Sequence, residues 1–324
     1  MDRLYTNGMI AVKEKTLLGE RLRRLCEGST DEAFRLLLES GFGSGAEVSS
    51  PREFELLTEI EHRNVDAFIR TYAPSEAVKS YFFYPRDFHN VRAAVKAEFL
   101  SLPLEQMLAP EGTIPVKTIV AAVQSGDLSK VGILADAIEQ ATALFREENG
   151  APTGVQIGSI FEKALFAALK KSCARSRLLS KFVAMKADMT NLLTAFRAPS
   201  MELVEEMFVT GGKLSAAKLS EVFTDTEGLE RELSNTALAP FLKACIEAKR
   251  NGVPYSEAER MLESFDLHYL NENRFTLKGN EPFIYYVLRR RAECDDVRIV
   301  FVCLNAGMTE VEIKKRLRST REGL

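Results

Sequence analysis

The chain has 324 residues, of which 46% are hydrophobic and 27% charged, and its formal net charge is −3. This composition is typical of a globular protein with about two or three compact units, and it excludes a collagen-like fibre, a disulfide-stapled miniprotein and a disordered tail. Nucleic acid is disfavoured as a partner, because proteins that bind it usually carry a strongly basic surface.

Apolar runs and cysteines exclude further classes. The longest apolar runs, such as 299–304, fall far short of the ~18 residues that span a bilayer. Acidic and basic residues interrupt the first fifteen positions before any apolar core, so we expect no secretory leader. The cysteines are scattered, odd in number and never spaced C-x-x-C, which predicts reduced thiols of a cytosolic protein; they are Cys26, Cys173, Cys245, Cys294 and Cys303.

Helical periodicity runs through almost the whole chain, which predicts an all-α fold. Apolar residues recur at three- and four-residue spacing, and strand-like alternation is rare. In chain order, this spacing predicts helices over 20–26, 31–38, 161–170, 178–196, 201–208 and 282–304. Ser256 and Thr309 are predicted helix caps, the latter with Glu312 in a capping box. Pro85 lies inside a helical pattern and predicts a kink or break.

An internal repeat of about 100 residues is the most informative feature of the sequence. The segment YPRDFHNVRAAVKAEF (84–99) aligns with MKADMTNLLTAFRAPS (185–200), and both contain D-x-x-N followed by a basic residue. Downstream, LAPEGTIPVKTIVAAV (108–123) aligns with FVTGGKLSAAKLSEVF (208–223), with Gly112 opposite Gly212. The repeated motif residues are Asp87, Asn90 and Lys96 in the first copy and Asp188, Asn191 and Arg197 in the second.

A weaker third copy lies in RRAECDDVRIVFVCLNAGM (290–308), where Glu293, Asp296 and Arg298 are predicted near one helix face. A short amphipathic opening element occurs four times, the first being TLLGERLRRL (16–25) and the last MTEVEIKKRL (308–317). The chain thus has four opening elements but only three copies of the longer segment. This suggests that the last element of each unit completes the unit before it. The period is too long for a solenoid. We therefore predict three related helical domains, 1–104, 105–204 and 205–324, the third with a closing C-terminal helix.

The D-x-x-N motif admits two interpretations. Residues three apart share a helix face, and apolar neighbours indicate that this face is half buried. A carboxylate and an amide in that position can satisfy backbone N–H groups at a neighbouring helix start. The alternative is a catalytic acid with a substrate-holding amide, in an enzyme with a polar cleft around Asp87 or Asp188. The structural interpretation is favoured, because repeated domains seldom carry several copies of an active site.

Together these features resemble one family. They are Tyr5, Asn7 and Leu17-Leu18, the D-x-x-N helices, the glycine and L-x-x-L openings, and the final E-x-x-D-x-R helix. In order and spacing they resemble the C subunit of the bacterial and archaeal V-type (A-type) rotary ATPases, which is similar to the d subunit of the eukaryotic vacuolar proton pump. The resemblance covers essentially the whole chain. It departs from the family pattern at Asp296, which takes the usual Asn position, and at Pro85.

The resemblance implies a pseudo-three-fold funnel of three similar helical-bundle domains. It implies a non-catalytic central-stalk rotor protein, a socket that links the central shaft (the D and F subunits) to the membrane proteolipid ring during ATP-driven or ATP-synthesising ion transport. No cofactor, metal, catalytic residue, nucleic acid or small-molecule substrate is expected. The implied location is cytoplasmic, peripheral on the inner face of the cell membrane.

Other candidate chemistry is weak. GFGSGA (41–46) matches a loose dinucleotide fingerprint but follows a predicted helix instead of a strand, so we predict a helix-ending loop. Gly211-Gly212-Lys213 lacks the remainder of a P-loop and is predicted to be a turn. The histidines His62, His89 and His268 have no partner at metal-ligand spacing.

The basic clusters and the aromatic cluster each admit two interpretations. Charge runs are usually solvated helix faces, but here they could also contact the shaft or the ring. The candidate interface residues are Arg289, Arg290, Arg291, Lys314, Lys315 and Arg316, with Arg318 nearby. A further basic cluster comprises Lys170, Lys171, Arg175 and Arg177. The aromatic run from Tyr81 to Tyr84 is predicted to be core, with an exposed contact patch as the alternative.

Overall fold

The computed structural model describes residues 3–44, 46–146, 152–273 and 279–317, with the backbone alone for 3–7. Gly45 and Arg318 therefore lie outside the described residues, as do the side chains of Tyr5 and Asn7. Within the described ranges the chain is helical and forms no strand, which confirms the predicted all-α fold. None of the described helices is long and apolar enough to cross a membrane.

Seventeen α-helices occur in the described residues, and each predicted segment falls on one of them. The ends agree within one residue except at α8, which begins seven residues before the predicted 161 and ends three after 170. In chain order the helices are α1 (Arg3–Glu14), α2 (Glu20–Leu25), α3 (Thr30–Glu39), α4 (Phe54–Tyr72), α5 (Glu76–Leu100), α6 (Val116–Ser125), α7 (Ala135–Leu144), α8 (Gly154–Cys173), α9 (Arg177–Arg197), α10 (Met201–Met207), α11 (Ala216–Leu219), α12 (Glu221–Thr224), α13 (Thr226–Leu233), α14 (Ala239–Asn251), α15 (Ser256–Glu272), α16 (Glu281–Asn305) and α17 (Glu310–Lys314).

Polar residues fix several helix starts. Thr309 and Glu312 form the predicted capping box at α17, in which the Thr309 backbone N–H donates to Glu312 Oε2 at 2.8 Å. Helix α15 begins at Ser256 itself, so the predicted cap residue is the first residue of the helix. Ser29 and Glu32 form a second capping box at α3. Such reciprocal bonds satisfy backbone donors that a helix end otherwise leaves unpaired.

Helix α5 continues through Pro85, so of the predicted kink or break the break is wrong. An interior proline costs about 3 kcal/mol relative to alanine, but burial on both sides of it compensates. Phe82 and Phe83 before the proline are 4% and 1% exposed, and Phe88 after it is 2% exposed. This burial, with Tyr81 also buried, confirms the core interpretation of the aromatic run and shows that the contact-patch alternative is wrong for these residues.

Internal contacts divide the chain into two compact units. One combines Met1–Ser75 with Ser264–Leu324, and the other is Glu76–Glu263. The first unit therefore contains both ends of the chain. The finer division into three repeats at 104/105 and 204/205 stays a prediction.

In the first unit, α16 packs against α1 and α4 and shares its core with α2, α3 and α17. The Phe301 ring on α16 stacks on Phe54 of α4, with centroids 5.1 Å apart, and meets the edge of Phe34 at 6.5 Å. Nearer the start of α16, Phe283 stacks on Phe68 at 5.2 Å. The N-terminal and C-terminal helices thus form one hydrophobic core.

In the second unit, α5 packs against α6 and α8, and α8 packs against α9. Phe88 and Val91 of α5 are buried in one cluster with Ile119 of α6 and Phe161 of α8. This core positions the long helices α5 and α9, which carry the two D-x-x-N motifs.

Candidate functional site

The D-x-x-N motif of α5 binds the loop that leads to α6. Asp87 is fully buried; its Oδ2 accepts hydrogen bonds from the Thr113 backbone N–H at 2.9 Å and the Thr113 hydroxyl at 2.5 Å. Its Oδ1 accepts from the Ile114 N–H at 3.1 Å. One turn later, Asn90 Oδ1 accepts from the Ala109 N–H at 2.8 Å. We call Asp87, Asn90 and their loop the first clamp.

The motif of α9 forms a second clamp of the same design. Asp188, 2% exposed, accepts hydrogen bonds from the backbone N–H groups of Lys213 and Leu214, each at 2.8 Å. Asn191, 1% exposed, accepts from the Val209 N–H at 2.9 Å and donates to the Val209 carbonyl at 2.9 Å. The backbone groups that donate to the two clamps belong to residues that the sequence alignment placed opposite one another.

Gly112 and Gly212 occupy matching places in the two clamps. A Cβ atom added to Gly112 would lie 2.2 Å from Asp87 Oδ1, and one added to Gly212 would lie 2.1 Å from Asp188 Oδ1. These distances are far inside van der Waals contact. Glycine is therefore required because the loop backbone rests directly on the carboxylate.

Burial and hydrogen bonding act in opposite directions on Asp188. Burial raises the pKa of this carboxyl above its ordinary value, while the N–H groups of Lys213 and Leu214 lower it. The oxygens of Asp87 and Asp188 accept backbone N–H donors of the same chain, as helix-capping groups do. This geometry favours a structural role over that of a catalytic acid.

A third clamp is formed by α16 and the N-terminal part of the chain. Glu293 is fully buried, and its Oε1 accepts a hydrogen bond from the backbone N–H of Gly19 at 3.1 Å. Gly19 directly precedes α2, just as the other two clamps bind residues just before α6 and α11. The loop that Glu293 binds therefore lies 274 residues away along the chain.

Arg290 holds the third clamp together. Its Nε donates to Glu61 Oε1 at 2.6 Å, and its Nη1 donates to Glu293 Oε2 at 3.2 Å and to the Thr16 carbonyl at 3.1 Å. Burial opposes the charge of this guanidinium, but the two carboxylates outweigh burial and raise its pKa above the ordinary value. A buried charge is tolerated when it is paired and hydrogen-bonded in this way.

The family described as ATP synthase (C/AC39) subunit matches residues 6–316, a range that includes all three clamps. The chain belongs to this family. This family corresponds to the C/d subunit of V/A-type ATPases. No curated protein matches the chain.

The interface predicted for this C/AC39 subunit needs correction at Arg290. Its side chain is 4% exposed and bonded on two sides, which leaves no surface for a partner. The other two arginines of the run also have carboxylate neighbours inside the first unit. Arg291 Nη2 lies 2.9 Å from Asp66 Oδ1, and Arg289 Nε lies 4.0 Å from Glu293 Oε1.

The other two motif residues of the third copy, Asp296 and Arg298, differ in exposure. Asp296 is fully buried, but the Arg298 side chain is 67% exposed and lies 3.7 Å from Glu55. The prediction of one shared face is therefore wrong for Arg298, because five residues turn an α-helix by about 140° beyond a full turn. The basic residues after D-x-x-N also lie outside the clamps. Lys96 is half-buried, and Arg197 is exposed and bonds Glu259.

The other basic clusters are more accessible. Lys314 is half-buried, and its Nζ lies 3.2 Å from Glu27 Oε1 and 2.5 Å from Glu310 Oε1. Lys315 and Arg316 are exposed. At the end of α8 and the start of α9, the whole cluster is exposed: Lys170, Lys171, Arg175 and Arg177. These exposed side chains keep the capacity for polar contact that the sequence suggested.

Motifs with a suspected chemistry have structural roles in this family member. The described part of GFGSGA follows helix α3 and includes Gly43, whose backbone N–H donates to Glu61 Oε2 at 3.1 Å, which confirms a helix-ending loop. Gly212 and Lys213 lie in the loop of the second clamp. His89 Nε2 lies 2.9 Å from the Met107 carbonyl oxygen, and the described residues contain no group of three metal-ligating side chains.

The cysteines are buried free thiols. Burial raises the pKa of Cys26 and of Cys173 to about 11, and that of Cys245 to about 12. These three thiols are therefore protonated at neutral pH and are poor nucleophiles.

Asn191→Leu should lower the free energy of unfolding by about 1–3 kcal/mol, because it leaves the buried Val209 backbone groups without partners. Chemical denaturation followed by circular dichroism measures this change. Asn251→Leu, at an exposed position in the last turn of α14, is the control and should change stability by about 0.5 kcal/mol or less. Normal stability of the Asn191 variant combined with lost assembly would assign this residue to an interface instead.

Proposed function

We propose that this chain is a non-catalytic central-stalk component of a V/A-type rotary ATPase. In this role it is a socket between the central shaft, formed by the D and F subunits, and the membrane proteolipid ring, during ATP-driven or ATP-synthesising ion transport. The observation that carries the proposal is the family match over residues 6–316. We further propose that the three repeats form a pseudo-three-fold funnel, attached at the cytoplasmic face of the membrane.

The clamps give this role a physical basis. An adaptor that transmits rotation must be stiff, and packed helices with loops bonded to them resist deformation. Asp87, Asp188 and Glu293 each fix the loop that leads into a short helix. The third clamp also joins the loop before α2 to α16 within one unit, so these two segments cannot separate without breaking buried polar contacts.

The enzyme alternative has less support. A catalytic carboxylate needs access to substrate, but Asp87 and Asp188 are at most 2% exposed. Their oxygens bind backbone N–H groups of their own loops, and breaking these bonds to admit a substrate would leave buried donors unsatisfied.

Attachment through exposed bases should be salt-sensitive. Single exposed ion pairs contribute only ~0–1 kcal/mol each, so several must act together. The screening length falls from ~8 Å at 0.15 M salt to ~3 Å at 1 M. Attachment should therefore weaken steeply over this range, and Lys315→Glu with Arg316→Glu should weaken it further at 0.15 M salt without changing the melting temperature. Arg290 is excluded from this test because it is internal.

Co-purification tests both the function and this attachment. The tagged chain should retain the D, F and proteolipid subunits at ~0.15 M salt and lose them at ~1 M. The control variant Arg52→Glu with Lys130→Glu changes two other exposed bases by the same charge and should bind normally. Recovery of none of these subunits would refute the function. Retention that is indifferent to salt, or strengthened by it, would refute the polar attachment alone.

A further inference from the structure

We propose that a cavity beside the second clamp is a docking site for an apolar side chain on an acidic segment of a partner protein. The proposal rests on the proposed function in one respect, that the partner is another subunit of the ATPase complex. The cavity has a volume of about 510 Å³ and lies in the second unit. Its main apolar lining residues are Ala184, Met185, Leu214, Leu233 and Leu238.

The two repeats differ at one residue that lines the cavity. Ala184 stands four residues before the clamp carboxylate Asp188. The matching residue in the first repeat, four before Asp87, is Phe83, whose ring is 1% exposed. Both clamps make the same kinds of hydrogen bond, so the fold accepts an aromatic ring at this position. The second repeat therefore has a much smaller side chain than the first at the matching position, and this side chain lines the cavity.

Leaving this space open has a cost that a docked side chain would offset. Unfilled apolar space deprives the lining residues of van der Waals contacts. Protein interfaces concentrate their binding energy where an anchor residue fills a pocket and displaces water from it. A protruding leucine, methionine or aromatic side chain matches the lining.

The charge around the cavity favours an acidic partner. Lys181 and Lys213 are exposed and contribute to its wall. Lys170 is close to the same loop, because a Cβ at Gly211 would lie 3.5 Å from Lys170 Cδ. Over 163–187 the sequence contains no Asp or Glu, and its basic residues are Lys163, Lys170, Lys171, Arg175, Arg177, Lys181 and Lys186. On a chain of net charge −3 this is a local excess of positive charge.

Asp188 also lines the cavity, but its negative charge does not offset the positive charge that a docked partner would meet. Asp188 is 2% exposed, and its oxygens accept the N–H groups of Lys213 and Leu214. Carboxylates on a docked segment would therefore meet lysine ammonium groups at the rim, which is the complementarity that steers association and fixes orientation.

A protein segment fits this surface better than a lipid bilayer. Helices that bind membranes combine basic residues with exposed leucine or aromatic anchors that insert into the bilayer. The large exposed apolar side chains of the described residues all lie outside 163–187. Here the apolar surface is concave and accepts an anchor, whereas a bilayer requires one that protrudes.

Filling the cavity tests the proposal. Ala184→Phe reproduces the residue of the first repeat, so it should fold with a melting temperature equal to or above that of the wild type. Its affinity for the ATPase complex stripped of the native chain should fall about tenfold or more, the loss expected for an interface anchor. Ala121→Phe, at an exposed alanine on α6, is the size-matched control and should bind normally. The variant Lys170→Glu with Lys181→Glu changes two exposed lysines outside the clamp and should also weaken binding.

The outcomes separate the two proposals. If the wild type does not rebind the stripped complex, the proposed function fails. If the wild type binds and both cavity and charge variants bind equally well, only the docking site is refuted. Sedimentation with phosphatidylglycerol vesicles tests the alternative that the cavity binds lipid. If the wild type binds the vesicles and Ala184→Phe does not, the cavity is a lipid site and the proposed acidic protein segment is refuted. The charge variant keeps the test valid if Ala184→Phe fails to fold.

Discussion

Arg290→Met should lower the free energy of unfolding by about 3–5 kcal/mol, the cost of removing one partner of a buried ion pair. The substitution leaves two carboxylates, Glu61 and Glu293, without their shared cation at 6% and 0% exposure. It also removes the donor to the Thr16 carbonyl. Urea denaturation followed by circular dichroism measures the loss.

Two controls isolate the buried charges. Arg298→Met removes an arginine of the same helix whose side chain is 67% exposed, and it should cost only ~0–1 kcal/mol. Adding Glu61→Gln and Glu293→Gln to Arg290→Met should recover part of the lost stability, because the uncompensated charges are removed. An Arg290→Met variant as stable as Arg298→Met would contradict the third clamp.

Gly212→Ala should lower the free energy of unfolding by about 2–4 kcal/mol, from overpacking and from weakened hydrogen bonds to a buried carboxylate. The added Cβ would lie 2.1 Å from Asp188 Oδ1 and 3.1 Å from the Asp188 backbone nitrogen, so the loop must move away. Thermal or urea unfolding measures this loss.

Two other glycines of the same unit provide a parallel test and a control. Gly112→Ala meets Asp87 in the same way and should be similarly destabilising. Gly158→Ala lies inside α8 with nothing within 4 Å of the added Cβ, and it should stabilise the protein by about 0.5–1 kcal/mol. Equal stability of the Gly212 and Gly158 variants would show that the loop does not depend on close contact with the carboxylate.

The first two clamps could be predicted because their information is local. Asp and Asn three residues apart face one side of a helix, and the loop they bind follows on the chain with a recognisable glycine. The third clamp could be predicted only as an incomplete copy. Its donor is the backbone N–H of Gly19, and a backbone group leaves no signature in the side-chain pattern.

The arginine run shows where charge patterns mislead. Successive residues on an α-helix point about 100° apart, so three adjacent arginines cannot share one solvated face. Helix α16 packs against both α1 and α4, which places the middle arginine inside. Its partner Glu61 lies 229 residues away, and only the tertiary fold brings the two together. Packing likewise outweighs local propensity at Pro85.

In the proposed role this chain couples the shaft to the ring, and a depletion and add-back experiment on the complex in membrane vesicles tests that coupling most directly. ATP hydrolysis and ATP-driven ion transport are measured before removal of the chain, after removal, and after the purified chain is added back. The socket role predicts that hydrolysis persists without the chain, that ion transport is lost, and that the added chain restores transport. Ion transport that continues at its original rate in vesicles lacking the chain would contradict the account.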